Sequence, residues 1–387
     1  MLVKQAYELV NSTTKEILGD SVVINEDLTN VVDLGKALYD ANAVDNYVKT
    51  LVDRIGKVIF VNRKYSGSAP SIMRDGWEWG SVLQKIRADL PDAVVNESWQ
   101  LTAKTSYDPN VYNPPKVANK FFNSKLTFEI DLSITKIQVQ ESFTSPVHMN
   151  AFLDMIYNKV ETKMTIAFDG LIRSTINNMI GETIYAENKS GSSTYTTQSG
   201  VRAVNLLYLF NQQKGGEALT KDKALTNAEF LKFATYTINN YIERMKGASK
   251  LYNVNGTEKF TPEDLLHVVL LSDFANASAS YLQADTFHKE LVSLPKYEKT
   301  VYWQGSGKKA STTDCSTINV KTSANHSVNL DGVIGVLFDH DACGVCNTDR
   351  RSPTEYNAKG EFWNIFYKFD GSFFNDLDEN CVVFFIQ

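Results

Sequence analysis

From Phe122 to Ile134 the even positions carry Phe122, Leu126, Phe128, Ile130, Leu132 and Ile134. The odd positions from Lys125 carry Lys125, Thr127, Glu129, Asp131 and Ser133. A period of two marks a strand with one buried face. Thirteen residues in this pattern predict an arm about 40 Å long, unusual for a compact domain. After Thr135 the phase moves by one residue, to Ile137 and Val139, which predicts a bulge. Residues 145–182 then change period. Ser145 and Pro146 suit a cap and first turn, and Phe152, Met155, Ile156, Val160, Met164, Phe168, Leu171, Ile172, Ile176 and Met179 form a helical seam. Asn158, Glu161, Thr165, Asp169, Arg173 and Asn177 lie opposite, on a helix roughly 50 Å long.

Other stretches give shorter signals. Val32 to Ile55 has helical spacing, the first thirty residues have weaker periodicity and read as extended or mobile, and Val58 to Val61 is a β-prone run. Residues 58–124 are punctuated by Gly67, Pro70, Gly76, Gly80, Pro91, Pro109, Pro114 and Pro115. Such a stretch predicts a long excursion, poorly buried in its own subunit. Its aromatics Trp77, Trp79, Trp99, Tyr107 and Tyr112 would order against a neighbour. Residues 187–200 read as a polar surface loop. Thr226 and Glu229 form a candidate capping box before a helix from Phe230 to Met245, ended by Gly247. A buried strand from His267 to Leu271 and a helix from Asp273 to Leu291 follow. Strands are expected at Thr300–Trp303, Ile318–Val320, Val333–Phe338, Phe362–Phe369 and Cys381–Ile386. In the strand from Phe362, the residues Trp363, Ile365, Tyr367 and Phe369 share one face, expected to lie beneath the long helix. The class is α+β, with strands gathered late in the chain and no internal repeat.

Charge and chemistry narrow the function. The net charge is −6 and the pI about 5.5, so the chain lacks the basic excess of a protein that grips phosphates. No apolar run approaches the ~20 residues of a membrane helix. Lys4 and Glu8 interrupt the start, which does not resemble a secretion signal. A soluble protein without a membrane partner is expected. Cys343 and Cys346 form a C-x-x-C near His340, but no second ligand pair stands at metal-site spacing, so free thiols without metal are expected. Gly305-Ser306-Gly307-Lys308 fails the phosphate-loop spacing. Asp339, His340 and Asp341 would alternate faces on a strand and not converge. The five histidines show no ligand grouping. No catalytic residue, cofactor or metal is expected, and the chain does not read as an enzyme.

The order of elements resembles the tailed-phage major capsid protein of the Hong Kong phage type. Two stretches carry the likeness further. Leu51-Val52-Asp53-Arg54-Ile55-Gly56 followed by Val58 resembles the entry to the E-loop in small short-tailed, picovirus-like phages. Asp339 and Asp341, the polar run to Gly360, and Trp363-Asn364 with Tyr367 resemble the C-terminal strand region of the same group. The resemblance implies an N-terminal arm over 1–57 and an E-loop excursion over 58–124. It implies a P-domain of 125–219 and 346–374 with its spine helix at 145–182, and an A-domain of 220–345 and 375–387. It also implies self-assembly into pentamers and hexamers of an icosahedral or prolate head around a double-stranded DNA genome. A scaffolding protein and a portal would guide that assembly in the host cytoplasm, and the packaged DNA would be contacted weakly and non-specifically. Trp77, Trp79, Trp99, Arg54, Trp363, Asn364 and Tyr367 are then the candidate structural and assembly residues. With Gln387 directly after the last strand, no appended immunoglobulin-like domain is expected. Two alternatives stand beside this reading: an encapsulin-like nanocompartment shell, since fold does not fix function, and a soluble enzyme with an unrecognised site.

Overall fold

The computed structural model describes residues 3–19, 22–61, 72–74, 83–88, 110, 112, 114, 117–187, 198–284, 296–304 and 315–387. They fall into two compact units. The first takes in the described residues of 1–78, 125–172 and 345–372, and the second those of 79–124, 173–344 and 373–387.

In the first unit, helices α1 (Val3–Leu18), α2 (Val31–Asp40) and α3 (Val44–Val61) pack together. The opening residues are therefore helical, not extended. Ala6, Leu9 and Val10 are buried on α1, and the buried Thr13 and Thr14 hydroxyls donate to the carbonyls of Leu9 and Val10, each at 2.7 Å. The β-prone run Val58–Val61 is the last turn of α3. Extending an existing helix adds one hydrogen bond per residue fixed, which overrides a weak local β preference.

The strand expected from Phe122 is two strands. β1 (Leu83–Ala88) pairs with β2 (Val117–Phe122), and β3 (Lys125–Thr135) begins after a break at Asn123 and Ser124. The bulge expected after Thr135 is a helix, α4 (Lys136–Ser142). Thr135 Oγ1 accepts the Gln138 N–H at 3.3 Å, and Gln138 Oε1 accepts the Thr135 N–H at 3.1 Å. That reciprocal cap starts a helix where the apolar phase shifts. Val139 enters the core while Ile137 stays exposed.

Helix α5 (Pro146–Glu187) has 42 residues, five longer at its C-terminal end than the expected bound of 182. Its length is about 63 Å at 1.5 Å per residue. Ser145 Oγ accepts the His148 N–H at 3.3 Å, as a capping residue should.

The sheet of the first unit is built around β12 (Phe362–Asn375), with β10 (Cys343–Arg351), β11 (Thr354–Asn357) and β3 as its neighbours. β3 lies antiparallel to β12 from Thr135 opposite Phe362 to Lys125 opposite Ser372. Along β12, Trp363, Ile365, Tyr367 and Phe369 are buried, and Phe362, Asn364, Phe366 and Lys368 are half-buried. The alternation read from the sequence holds, and so does its placement. The Phe369 ring lies 5.3 Å from Phe168 of α5 and 5.1 Å from Phe128 of β3, centre to centre. A Cβ at Gly371 would stand 2.6 Å from Leu171 Cδ2, so glycine permits the close approach of strand to helix.

The second unit is built on a five-stranded sheet in the order β4 (Ala203–Asn205), β13 (Cys381–Phe385), β9 (Val333–Asp339), β5 (Leu266–Leu271), β6 (Glu298–Thr300). β4–β13 and β5–β6 are parallel, and the two central pairs are antiparallel. Every residue of β9 and β13 is buried. Burial on both faces explains why these strands read as continuous apolar runs. Helices α6 (Leu206–Lys214), α7 (Lys221–Ala224), α8 (Ala228–Met245) and α9 (Ser272–Ala284) belong to this unit, and Phe210, Phe230, Ile238, Leu270, Phe274 and Phe384 share its core. The cap of α8 is Asn227, whose Oδ1 accepts the Phe230 N–H at 2.9 Å, and not the expected Thr226–Glu229 box. Asn is as good a cap as Thr, and it sits one residue closer to the first turn. The hairpin of β7 (Ile318–Lys321) and β8 (Ser327–Leu330) completes the unit's strands among the described residues. Asn177, expected on the polar face of the long helix, is buried here and donates to the Trp303 carbonyl at 2.7 Å.

Candidate assembly surface

The stem formed by β1 and β2 carries the two described strands of the expected excursion, and its side chains are arranged in reverse of the usual order. Leu83, Lys85 and Arg87 alternate with Gln84, Ile86 and Ala88. The register sets Leu83 opposite Phe122, Lys85 opposite Lys120 and Arg87 opposite Ala118, all on one face. Two lysines directly across a strand pair repel. They are reconciled by the turn between β12 and β13, where Asp376, Asp378 and Glu379 are all buried.

Lys85 Nζ lies 2.7 Å from Asp376 Oδ2, and Lys120 Nζ lies 2.9 Å from Asp376 Oδ1. Lys85 also pairs with Glu379, and Lys120 with Asp378. Arg87 Nη1 stands 2.7 Å from Asp378 Oδ2, Lys259 Nζ is 3.0 Å from Glu379 Oε1, and Asn255 Nδ2 donates to Asp378 Oδ1 at 2.6 Å. Burial alone would raise the Asp376 carboxyl, but hydrogen bonds from Lys85 and then Lys120 outweigh it and hold the pKa below the ordinary carboxylate value. Asp378 is likewise lowered against its burial, by Lys120 and Asn255. The ammonium groups of Lys85 and Lys120 are raised by the same carboxylates, despite their own desolvation. The apolar part of this attachment is small, with the Phe122 ring 5.3 Å from Phe374.

The opposite face of the stem carries Gln84, Ile86, Val117, Asn119 and Phe121. Ile86 is 68% exposed, and Val117 and Phe121 are each 62% exposed. Charge points inward and apolar surface points outward. Three large apolar side chains on one face make it a candidate interaction surface.

The candidate residues read from the sequence scatter. Trp363 and Tyr367 are buried in the first unit, with Trp363 tilted against Tyr356 at 5.1 Å. Asn364 is half-buried on the other face of β12, and its Oδ1 accepts the Ser133 hydroxyl at 2.7 Å. Arg54 on α3 pairs with Glu16 of α1 within its own unit. Trp77, Trp79 and Trp99 lie outside the described residues, as do Tyr107 and Gly305–Lys308. The run Asp376-Leu377-Asp378-Glu379-Asn380 went unread in the sequence. Its signal is an acidic stretch wedged between two apolar strands, where no exposed loop is long enough to hold it.

Asp339 Oδ1 accepts the Asp341 N–H at 2.8 Å and Oδ2 accepts the Thr261 hydroxyl at 2.7 Å, closing the turn after β9. His340 in that turn meets His267 of β5, with Nδ1 and Nε2 2.9 Å apart. The ring centres are 5.2 Å apart, nearly the nitrogen separation plus two ring radii, so the nitrogens point at each other. That is a hydrogen bond. A shared metal would need both lone pairs to converge to one side. Cys343 and Cys346 are buried and form no disulfide, three apart on β10 and so on opposite faces. Among the described residues, no three His, Cys, Asp or Glu side chains gather in a way that suits a metal ion, and no helix is long and apolar enough to cross a membrane.

A chain of the solved structure described as head fiber and inner core protein gp22 of native bacteriophage P68 resembles this chain over 84% of its length and 86% of the other, at 9% identity and a TM-score of 0.53. The capsid structure of Staphylococcus phage Andhra covers 84% and 86% at 10% identity and a TM-score of 0.48. The chain shares the fold of the P68 structure. Residues 10–385 match the family described as Phi29-like phage major capsid protein, and the chain belongs to that family. No curated protein sequence matches it. The chain is a structural head-shell protein of a tailed phage, not an enzyme, and its place is the capsid of the virion, where copies of it assemble into a shell.

Proposed function

We propose that the subunit forms pentamers and hexamers of a head enclosing double-stranded DNA. Assembly takes place in the host cytoplasm with a scaffolding protein and a portal, and the genome is contacted weakly and non-specifically. Residues 1–57 are its N-terminal arm, 125–219 and 346–374 its P-domain and 220–345 and 375–387 its A-domain, and the excursion of residues 58–124 reaches a neighbouring copy. The picovirus-like placement rests on residues 51–58 and 339–367. The observation that carries this reading is the outward apolar face of the stem, with Ile86, Val117 and Phe121 largely exposed. A closed shell repeats one patch-to-partner contact many times, and a second copy is the partner always present at high concentration. The net charge of −6 suits a container whose inner wall must not bind DNA tightly.

The test is expression of the full chain with and without the scaffolding protein of the same phage, followed by size-exclusion chromatography and electron microscopy. Closed particles in the megadalton range support the reading. A 43.4 kDa monomer under both conditions overturns it. Replacing Phe121 with Ser then addresses the stem, with loss of particles expected from a subunit that still folds.

A further inference from the structure

The ion pairs beneath the stem raise a question that its role as an assembly arm does not answer. A buried charge cluster is a poor source of stability, because desolvation of each ion offsets most of its attraction, and an apolar contact of similar size often does as well. What ion pairs supply is direction. An apolar face can settle at many angles, whereas three stem cations meeting three carboxylates fix one. The sequence of the stem makes this matter. Both of its faces carry large side chains, Ile86, Val117 and Phe121 on one and Leu83 and Phe122 on the other. Nothing in the apolar pattern alone says which face should turn inward.

We infer that Asp376, Asp378 and Glu379 form an ionic latch that positions the stem for assembly, by holding its basic face down and keeping its apolar face from closing onto its own subunit. The inference rests on the reading of that apolar face as a contact with a second copy. Three features carry it. Asp376 is 1% exposed and is shared between Lys85 and Lys120, so it bridges both strands at their point of repulsion. Asp378 is held from below by Asn255 and from the stem by Arg87 and Lys120. Glu379 is anchored to Lys259 of the unit's own framework while it also receives Lys85. Each carboxylate therefore has a partner on the stem, and together they have fixed partners off it.

The test is hydrogen exchange on unassembled full-length subunits carrying Asp376→Asn and Asp378→Asn together, followed by assembly and electron microscopy. Exchange of residues 83–88 and 117–122 should rise at least tenfold while β9 and β13 keep their protection, and closed shells should be lost or malformed. Unchanged exchange in the stem would overturn the latch. Regular shells at the normal yield from a loosened stem would overturn its positioning role. If the double variant fails to fold, Lys120→Met reads the same thing from the stem side, since Asp378 keeps Arg87 and Asn255. Should Lys120→Met raise exchange in β9 and β13 as much as in the stem, the turn is part of the core and the inference falls. The exchange measurement needs no shell. A wild-type chain that stays monomeric would thus sink the assembly reading while leaving the latch itself tested.

Discussion

Strands β2 and β3 are separated by two residues, yet one is oriented by an alternating apolar pattern and the other is not. In β3, Phe128, Ile130, Leu132 and Ile134 turn toward the core of their unit while Lys125, Thr127, Glu129, Asp131 and Ser133 face out. In β2, Lys120 turns inward and Val117 and Phe121 face out. Pattern alone assigns the apolar face of a strand to the nearest core. It is right for β3, whose partner β12 brings Phe369 and the underlying Phe168 within ring contact of Phe128. It does not decide β2, whose two faces both carry large side chains, and there a buried acidic turn sets which face is inward. Where one side of a ribbon meets a core, area decides its orientation. Where it meets buried carboxylates, charge decides it.

The strongest way to break this comparison is to remove area from the β3–β12 sheet. Trp363→Ala should cost about 3–5 kcal/mol through the cavity it leaves. Most domains cannot lose that and remain folded. Denaturant unfolding and soluble yield check this, and a variant with unchanged stability that still forms normal shells would place Trp363 outside the core.

Acid should act on the stem first. The folded pKa values of Asp376 and Asp378 lie below the unfolded values, so their contribution is present above the ordinary carboxylate pKa of about 3.9. It is lost as pH falls through the lowered folded values. Limited proteolysis of the subunit should therefore find the stem protected at about pH 5 and opened only well below about pH 4. Loosening at near-neutral pH would mean that these carboxylates do not hold it.

Smaller effects sharpen the contrast. Arg54→Ala removes a half-exposed pair between α1 and α3 and should cost no more than about 1 kcal/mol, with thermal unfolding as the measure. Phe121→Ser removes an exposed apolar side chain and should leave subunit stability within about 0.5 kcal/mol. Its effect belongs to shell yield instead. A Phe121→Ser subunit as unstable as Trp363→Ala would show that the stem's outer face is packed within the monomer.

The sequence by itself determined those parts where one physical term dominates. The period of two in β3 and β12, the helical seam under Ser145, and the apolar runs of β9 and β13 each state their burial directly, because hydrophobic area outweighs every other local preference there. The order of those elements was enough to suggest the class of protein. Tertiary structure decided the places where terms compete. Val58 to Val61 follow the helix that precedes them, the shift after Thr135 becomes a capped helix, and Asn177 leaves its polar face to satisfy the Trp303 carbonyl. The stem is the clearest case. Lys85 and Lys120 are neighbours only through strand pairing, and Asp376, Asp378 and Glu379 reach them from more than 250 residues away. Local pattern carries no trace of that distance. The energy of a buried ion pair depends on which groups share one pocket, and that is fixed only when the chain has folded.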